Sequence, residues 1–393
     1  MISNLYPPYV HGGAELYVHH ISQGLSRSHD VSVITSTPYE KGTLVTSRKT
    51  LEEGCAIYRF FPFNLYSTFY YSRKPSVVKP FWHALDLWNP HAYAVTKKVL
   101  QNERPDIVHV HNIKGLSASV FDAARDLHIP IVHTVHDYNL ICPKTTLLNR
   151  SNEQCVAPYT ACRLYRQFLR RIVPTAVLAP SDFMIHMLAQ FDLFTGVPII
   201  KLPLGIRDDA PVERTQNSTL DILYVGRIER HKGVQFLLES MLHFDDARAR
   251  LHIVGTGSDG ADFQRAARHD SRIVFYGFLS RGALRQLYSI ADIAVVPSIY
   301  HETFGLVIPE YYRHGIPVVG SRAGAIPELI RDGYNGLLFE PGDVTQLMAC
   351  LDKVGRDPEL LKQLSINARQ SSVSFDMSTH VHKLETIYEE LLP

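Results

Sequence analysis

Short apolar runs alternate with amphipathic stretches along the whole chain, the pattern of strand–helix–strand units that build parallel sheets. Strands are expected at 31–36, 56–60, 107–111, 130–135, 176–179 and 199–202 in the first half, and at 221–225, 250–254, 273–276, 293–297 and 317–320 in the second. Both halves read as doubly wound α/β sheets of Rossmann-like type. Only Met1, Ile2 and Ser3 precede the first polar loop, so the central strand of the first sheet is expected to be truncated or the true start to lie upstream. A Pro/Gly turn and a strand-poor polar stretch in LPLGIRDDAPVERTQNSTLDILYVG separate the two sets, and the break is placed near residue 205. The expected domains are 1–204 and 205–374. The amphipathic stretch 375–393 puts Leu384, Ile387, Tyr388 and Leu391 on one face and is expected to pack back on the first domain.

Composition narrows the class. A chain of 393 residues, 45% hydrophobic and 20% charged, suits two cores of ordinary size rather than one. Forty basic and 39 acidic residues leave a net charge of +1, which gives no footprint for nucleic acid. No apolar run reaches the roughly 18 to 20 residues of a membrane span, and Met1 leads into a polar loop rather than a secretory core. A cytoplasmic protein is expected, with room for peripheral contact at the inner face of the membrane. Five cysteines are too few for a disulfide scaffold. Cys142, Cys155 and Cys162 lie close in sequence but form no CxxC pair and show no fourth ligand, so ordinary thiols are favoured over a metal site.

Two segments invite surface readings. Residues 58–99 are aromatic and basic, with Trp82, Trp88, Arg73, Lys74 and Lys79. This is either a surface that meets an acceptor or a membrane, or a pair of helices on the sheet edge. Arg163, Arg166, Arg170 and Arg171 recur at helical spacing, where a solvated helix face is favoured over a patch for anionic lipid.

Candidate chemistry clusters at predicted strand ends. In NLYPPYVHGGAE, Gly12 and Gly13 let backbone approach a ligand ahead of a helix beginning near Ala14. Alone, such a pair is commonly just a turn. Arg227 and Lys232 in GRIERHKG follow the first strand of the second half, and two fixed charges there suit a diphosphate. Glu302 and Glu310 bracket Phe304, Gly305 and Leu306, whose amides suit an anion-binding nest. The two carboxylates suit sugar and ribose hydroxyls; either alone could be a helix N-terminal charge. Pro309 is expected to start or kink the helix there.

The GGAE loop, GRIERHKG, the EX7E spacing and GIPVVGSRAGAIPELI, in this order over nearly the whole chain, resemble the group 1, or GT4-type, retaining glycosyltransferases of GT-B fold. The resemblance implies a nucleotide-sugar donor held in a cleft between the two domains. It assigns Arg227 and Lys232 to the diphosphate, Glu302 to the donor sugar, Glu310 to the ribose, and Gly12 and Gly13 to the donor phosphates. Gly277 and Phe278 fall where such enzymes read the base. His136, in PIVHTVHD, falls near the anomeric carbon, with Asp137 orienting it or meeting the acceptor. His109, His111 and His133 are read as structural or acceptor-side. Tyr311 and Tyr312 replace the small residues usual after the second glutamate. The implied chemistry is front-face transfer of a hexose from a UDP or GDP sugar to a glycan or lipid-linked acceptor of cell-surface polysaccharide or glycolipid synthesis, with neither metal nor cofactor. A nucleotide-sugar epimerase, a disaccharide phosphorylase and a non-catalytic sugar-nucleotide-binding protein are the alternatives.

Overall fold

A computed structural model describes residues 1–40, 47–149, 155, 160–215 and 218–392, and in it the chain divides into two units after Arg207. The first unit also takes the last helix, Met377–Leu391, leaving Asp208–Asp376 as the body of the second.

The first unit contains β1 (Ile2–Ser3), β2 (Ser32–Ser36), β3 (Arg48–Glu52), β4 (Cys55–Phe60), β5 (Val108–Val110), β6 (Ile131–Thr134), β7 (Ala176–Ala179) and β8 (Ile199–Lys201). Their order in the sheet is β3-β4-β2-β1-β5-β6-β7-β8, parallel throughout except for the β3–β4 hairpin. β1 is short and central, as expected. Ile2 stands opposite Ile34 on one side and Val110 on the other. The chain order reverses between β1 and β5, the place where open α/β sheets take ligands.

The second unit contains β9 (Leu220–Val225), β10 (Ala249–Val254), β11 (Ile273–Gly277), β12 (Ile293–Val296), β13 (Val318–Ser321) and β14 (Gly336–Phe339). They form a wholly parallel sheet in the order β11-β10-β9-β12-β13-β14, with the reversal between β9 and β12. Central strands covered on both faces read as unbroken apolar runs; all four residues of β12 are buried. Ile222, Leu237, Met241, Leu251, Val295 and Leu347 are fully enclosed in this core.

Two strands were absent from the sequence pattern. β3 is a largely exposed edge strand, RKTLE, with no buried residue to give it an apolar period. β14 is a four-residue run, GLLF, at the opposite edge of the other sheet. The helix Val307–Arg313 begins before Pro309 rather than at it. Pro309 therefore sits in the first turn, where its missing N–H has no intrahelical partner to lose.

The last helix buries Leu384 and Ile387 in the first unit. Its His380 Nε2 lies 2.7 Å from the Tyr17 hydroxyl, and its Tyr388 hydroxyl lies 2.5 Å from His109 Nδ1. In the aromatic segment, Trp82 is fully buried, stacked on Tyr66, whereas Trp88 is 37% exposed. The side chain of Arg73 lies outside the described ones. The arginine run is largely occupied locally. Arg170 pairs with Asp192 and Arg171 with Asp122, and Arg166 covers the Phe191 ring. Among the described residues no helix is long and apolar enough to cross a membrane.

Candidate functional site

The charged residues of the second unit meet at its sheet reversal. Beyond β9, the Tyr224 hydroxyl donates to the Arg227 carbonyl at 2.7 Å, fixing the backbone that presents Arg227. That guanidinium is half exposed and pairs with Glu229. Lys232 ends the short turn Arg230–Lys232. Its Nζ lies 2.7 Å from Glu302 Oε1 and 4.8 Å from the centre of the Tyr300 ring. Glu302 belongs to the loop after β12. The ion pair therefore links the two loops that flank the reversal. His231 beside it is held neutral, its pKa lowered to about 3 by burial and by the charges of Lys232 and Arg227.

The Glu302 backbone is clamped from behind. Gly324, at φ +63°, packs so closely that a Cβ there would stand 2.4 Å from the Glu302 carbonyl oxygen and 2.5 Å from its nitrogen. The Ala325 N–H donates to that carbonyl at 2.8 Å. Next in the chain, the amides of Phe304, Gly305 and Leu306 make no hydrogen bond among the described residues, as an anion-binding nest requires. The Phe304 ring is buried against Phe375. Glu310 opens to solvent in the first turn of the helix Val307–Arg313.

Tyr311 and Tyr312 are fully buried. The Tyr311 hydroxyl accepts the Val225 N–H at 2.8 Å, at the end of β9, so the bulky residue supports the site's own strand. Gly277 and Phe278 are more remote. Gly277 ends β11, an edge strand separated from β9 by β10, and Phe278 follows it. The Gly277 carbonyl is already bonded to the Gly255 N–H at 2.8 Å. This leaves chiefly the Phe278 ring, 83% exposed, at that edge.

In the first unit the glycine loop is partly occupied from within. The helix starts at Gly13, and the Gly12 N–H donates to Glu15 Oε2 at 2.9 Å. Glu15 is buried, and burial raises its pKa, with Asp137 nearby adding to the shift. The sequence pattern pointed to Gly12 and Gly13 as a place of close backbone approach and did not single out Glu15, although a glutamate at the third helical position is the signal for such a return bond. Space remains at Gly12 itself, where a Cβ would meet nothing within 4 Å and φ is −167°. Neither packing nor backbone conformation demands a glycine there.

The histidines divide by access. His136, just past β6, is half-buried, with Nε2 3.0 Å from His111 Nδ1. Burial lowers its pKa to about 3, so it acts as a neutral imidazole. His109 is not an acceptor contact, because it is buried with Nδ1 on Tyr388 and Nε2 on Thr134 Oγ1 at 2.7 Å. His111 is likewise buried, its Nδ1 3.0 Å from His136 Nε2, and it lines the same small recess as His136. His133 is bonded to the Val110 carbonyl at 3.0 Å and lowered to about 4 by burial. Asp137 accepts the Asn139 N–H at 2.7 Å and joins His136, Asn112 and Asn139 around a small recess.

Cys142, Cys155 and Cys162 are free thiols. Part of the loop joining them lies outside the described residues, and among those described no three His, Cys, Asp or Glu side chains gather as a metal site.

Comparison with known proteins follows the same division of the chain. The family described as Glycosyl transferases group 1 matches residues 206–371, and Glycosyltransferase Family 4 matches residues 11–209. A Klebsiella pneumoniae protein named "Uncharacterized 42.6 kDa protein in cps region" is 24% identical over 84% of this chain and 87% of its own. Among solved structures, sucrose-phosphate synthase of Thermosynechococcus elongatus superposes with a TM-score of 0.78 at 18% identity, covering 99% of this chain and 98% of its own. Anabaena HepE, in complex with UDP and glucose, gives 0.73 at 18% identity and the same coverage. With both halves matched and both Rossmann-like units shared with GT-B glycosyltransferases, the chain belongs to glycosyltransferase family 4, the group 1 glycosyltransferases.

Proposed function

We propose that this chain is a retaining hexosyltransferase that takes its sugar from a nucleoside diphosphate donor of UDP or GDP type. The observation that carries the reading is the Lys232–Glu302 pair across the β9–β12 reversal, with Arg227 beside it and the unspent amides of Phe304, Gly305 and Leu306 next to it. A diphosphate entering there meets two cations and a row of N–H donors. The sugar hydroxyls meet Glu302, and the ribose meets Glu310. A UDP-type donor is favoured by the UDP in the HepE complex.

On this reading the acceptor hydroxyl attacks the anomeric carbon from the face the diphosphate leaves. A new C–O bond forms as the sugar–phosphate bond breaks, and the hydroxyl proton passes to the departing phosphate oxygen. Arg227, Lys232 and the amides offset the charge that develops on the diphosphate, so transfer needs neither a cofactor nor a metal. Each such contact contributes on the order of 2 to 4 kcal/mol to the transition state. Neutral His136 offers a hydrogen bond near the anomeric carbon, and Asp137 orients it or meets the acceptor.

The acceptor is read as a glycan or a lipid-linked intermediate of cell-surface polysaccharide or glycolipid synthesis, in keeping with the Klebsiella relative's "cps region". Peripheral contact with the inner face of the membrane is supported by Phe63, Leu65, Val77, Phe81 and Leu85, all exposed within one short stretch that also carries exposed Lys74. Sedimentation with phosphatidylglycerol vesicles tests the contact, and a chain that stays in the supernatant at low salt defeats it. The donor assignment is tested with a panel of nucleotide sugars, scored by thermal shift and nucleotide release, with and without chelator. One sugar nucleotide is expected to stabilise the protein and turn over in chelator. Stabilisation by none defeats the reading, and turnover lost in chelator defeats its metal-free form.

A further inference from the structure

The loop after β5 carries a cation that the donor chemistry does not use. Lys114 stands at the carboxyl end of the first sheet beside the β1–β5 reversal, and its half-buried ammonium lies 3.9 Å from the centre of the Tyr71 ring. Lys79, which opens the helix Lys79–Leu87, brings a second half-buried ammonium 4.7 Å from the same ring. Among the described residues neither forms an ion pair or a side-chain hydrogen bond.

The neighbouring acids, Asp137 and Asp86, act on Lys114 through their charge but make no direct ion pair with either lysine among the described residues. Both Asp86 oxygens accept the Gly115 N–H, at 2.9 and 3.0 Å, and the surrounding protein pushes that carboxyl up to about 7. Asp137 is occupied by Asn139 and raised by burial. His83, hydrogen-bonded to the Tyr71 hydroxyl at 2.8 Å, is lowered to about 4 and neutral. Burial lowers Lys114 itself, the charges of Asp137 and Asp86 oppose that shift, and the charge of Lys79 adds a smaller lowering. A ring face attracts an ammonium but leaves its three N–H donors without acceptors. Two such groups around one ring leave N–H donors that an anion can take.

The arrangement is also braced. Ser117 Oγ accepts the Asn89 N–H at 2.8 Å, and Ser119 Oγ donates to the Asn89 carbonyl at 2.9 Å. Gly115 packs against Thr68. These contacts tie the Lys114 loop to the aromatic segment that carries Lys79.

We propose that Lys114 and Lys79, with Tyr71 between them, form an acceptor subsite for an oxyanion, a phosphoryl or carboxylate group that anchors the acceptor beside His136 and Asp137. The proposal rests on the transferase reading, in which this unit receives the acceptor. It specifies what that reading leaves open: the acceptor is charged.

The full chain is titrated by calorimetry with inorganic phosphate and with glucuronate at constant ionic strength, as wild type, Lys79→Met, Lys114→Met, Lys114→Arg and Lys232→Met. At least one probe is expected to bind wild type and to weaken roughly tenfold in each methionine variant of the pair, the loss of one charge-assisted contact. Lys114→Arg restores most of the affinity, and Lys232→Met leaves a phase that the pair variants remove. Stronger phosphate binding indicates a phosphorylated acceptor, and stronger glucuronate binding an acidic sugar. The proposal is overturned if neither probe binds wild type, if both pair variants bind as wild type does, or if Lys232→Met abolishes all binding. Should Lys114→Met unfold, Lys79→Met decides by the same criteria. Failure of the transferase reading shows separately, as absence of turnover with every nucleotide sugar.

Discussion

Replacing Lys232 by methionine keeps most of the side chain's length and removes one charge from the loop after β9. At 2.7 Å and an effective dielectric of about 20, the gross attraction to Glu302 is on the order of 6 kcal/mol, most of it offset by the cost of desolvating both ions. With side chains 23% and 14% exposed, the pair falls between a surface bridge and a buried one. Lys232→Met should then cost about 1 to 3 kcal/mol of stability. Activity should suffer more, because on the proposed function the same ammonium would face the departing diphosphate. A loss of about 2 to 4 kcal/mol corresponds to roughly a 30- to 1000-fold fall in kcat. Urea denaturation and nucleotide release, measured on Lys232→Met, Glu302→Gln and the double variant, separate the two effects. In stability the double variant should lose less than the two singles together, since each single strands its partner. Turnover by Lys232→Met within threefold of wild type, or strictly additive stability losses, would refute the reasoning.

Two glycines make a contrasting pair. Gly324→Ala forces a Cβ onto the Glu302 backbone and should lower both stability and turnover, whereas at Gly12 a Cβ meets nothing within 4 Å, so Gly12→Val should cost at most about 1 kcal/mol of stability, through the helix N-cap, while reducing kcat/KM at least about tenfold, a ligand-contact loss of about 1.4 kcal/mol. Wild-type kinetics in Gly12→Val would remove that loop from the donor site. His133 supplies a pH test. Its folded pKa, lowered to about 4 by burial, lies below the unfolded value near 6.5. The unfolded chain therefore binds the extra proton, and the stability contributed by neutral His133 is full above about 6.5 and lost as pH falls to about 4. Asp86, raised to about 7, acts in the opposite sense, so the useful quantity is the difference between wild type and His133→Gln. The variant's stability should slope less steeply by up to about 1.4 kcal/mol per pH unit across that window, and identical slopes in urea titrations would exclude the mechanism.

Much of the scaffold was legible because parallel strands covered on both faces leave apolar runs that need no partner to be recognised. β12, IAVV, is such a run; β3, RKTLE, is held by its hairpin partner instead and leaves no comparable trace. Arg227, Lys232 and Glu302 were legible for a similar reason, since each follows a recognisable strand. The Gly12–Glu15 bond depends on the way a glutamate folds back on its own helix start. The Lys79–Tyr71–Lys114 arrangement depends on how the aromatic segment folds against the β5 loop, and local sequence does not encode that contact.

The final helix has a consequence for the order in which the protein can be completed on the ribosome. Tyr17 meets His380 across 363 residues of chain, and His109 meets Tyr388 across 279. The first unit is translated first, yet two of its buried polar groups wait for partners in a 15-residue helix made after the whole second unit. Until then the inner faces of Tyr17 and His109 lack those partners and meet water instead, so the net contribution of each hydrogen bond, about 0.5 to 1.5 kcal/mol, is not yet gained. Domains generally fold as units from the N-terminus during synthesis. Here the N-terminal unit is begun first and finished last, and a chain stopped short of residue 377 would hold a complete second unit and an unfinished first.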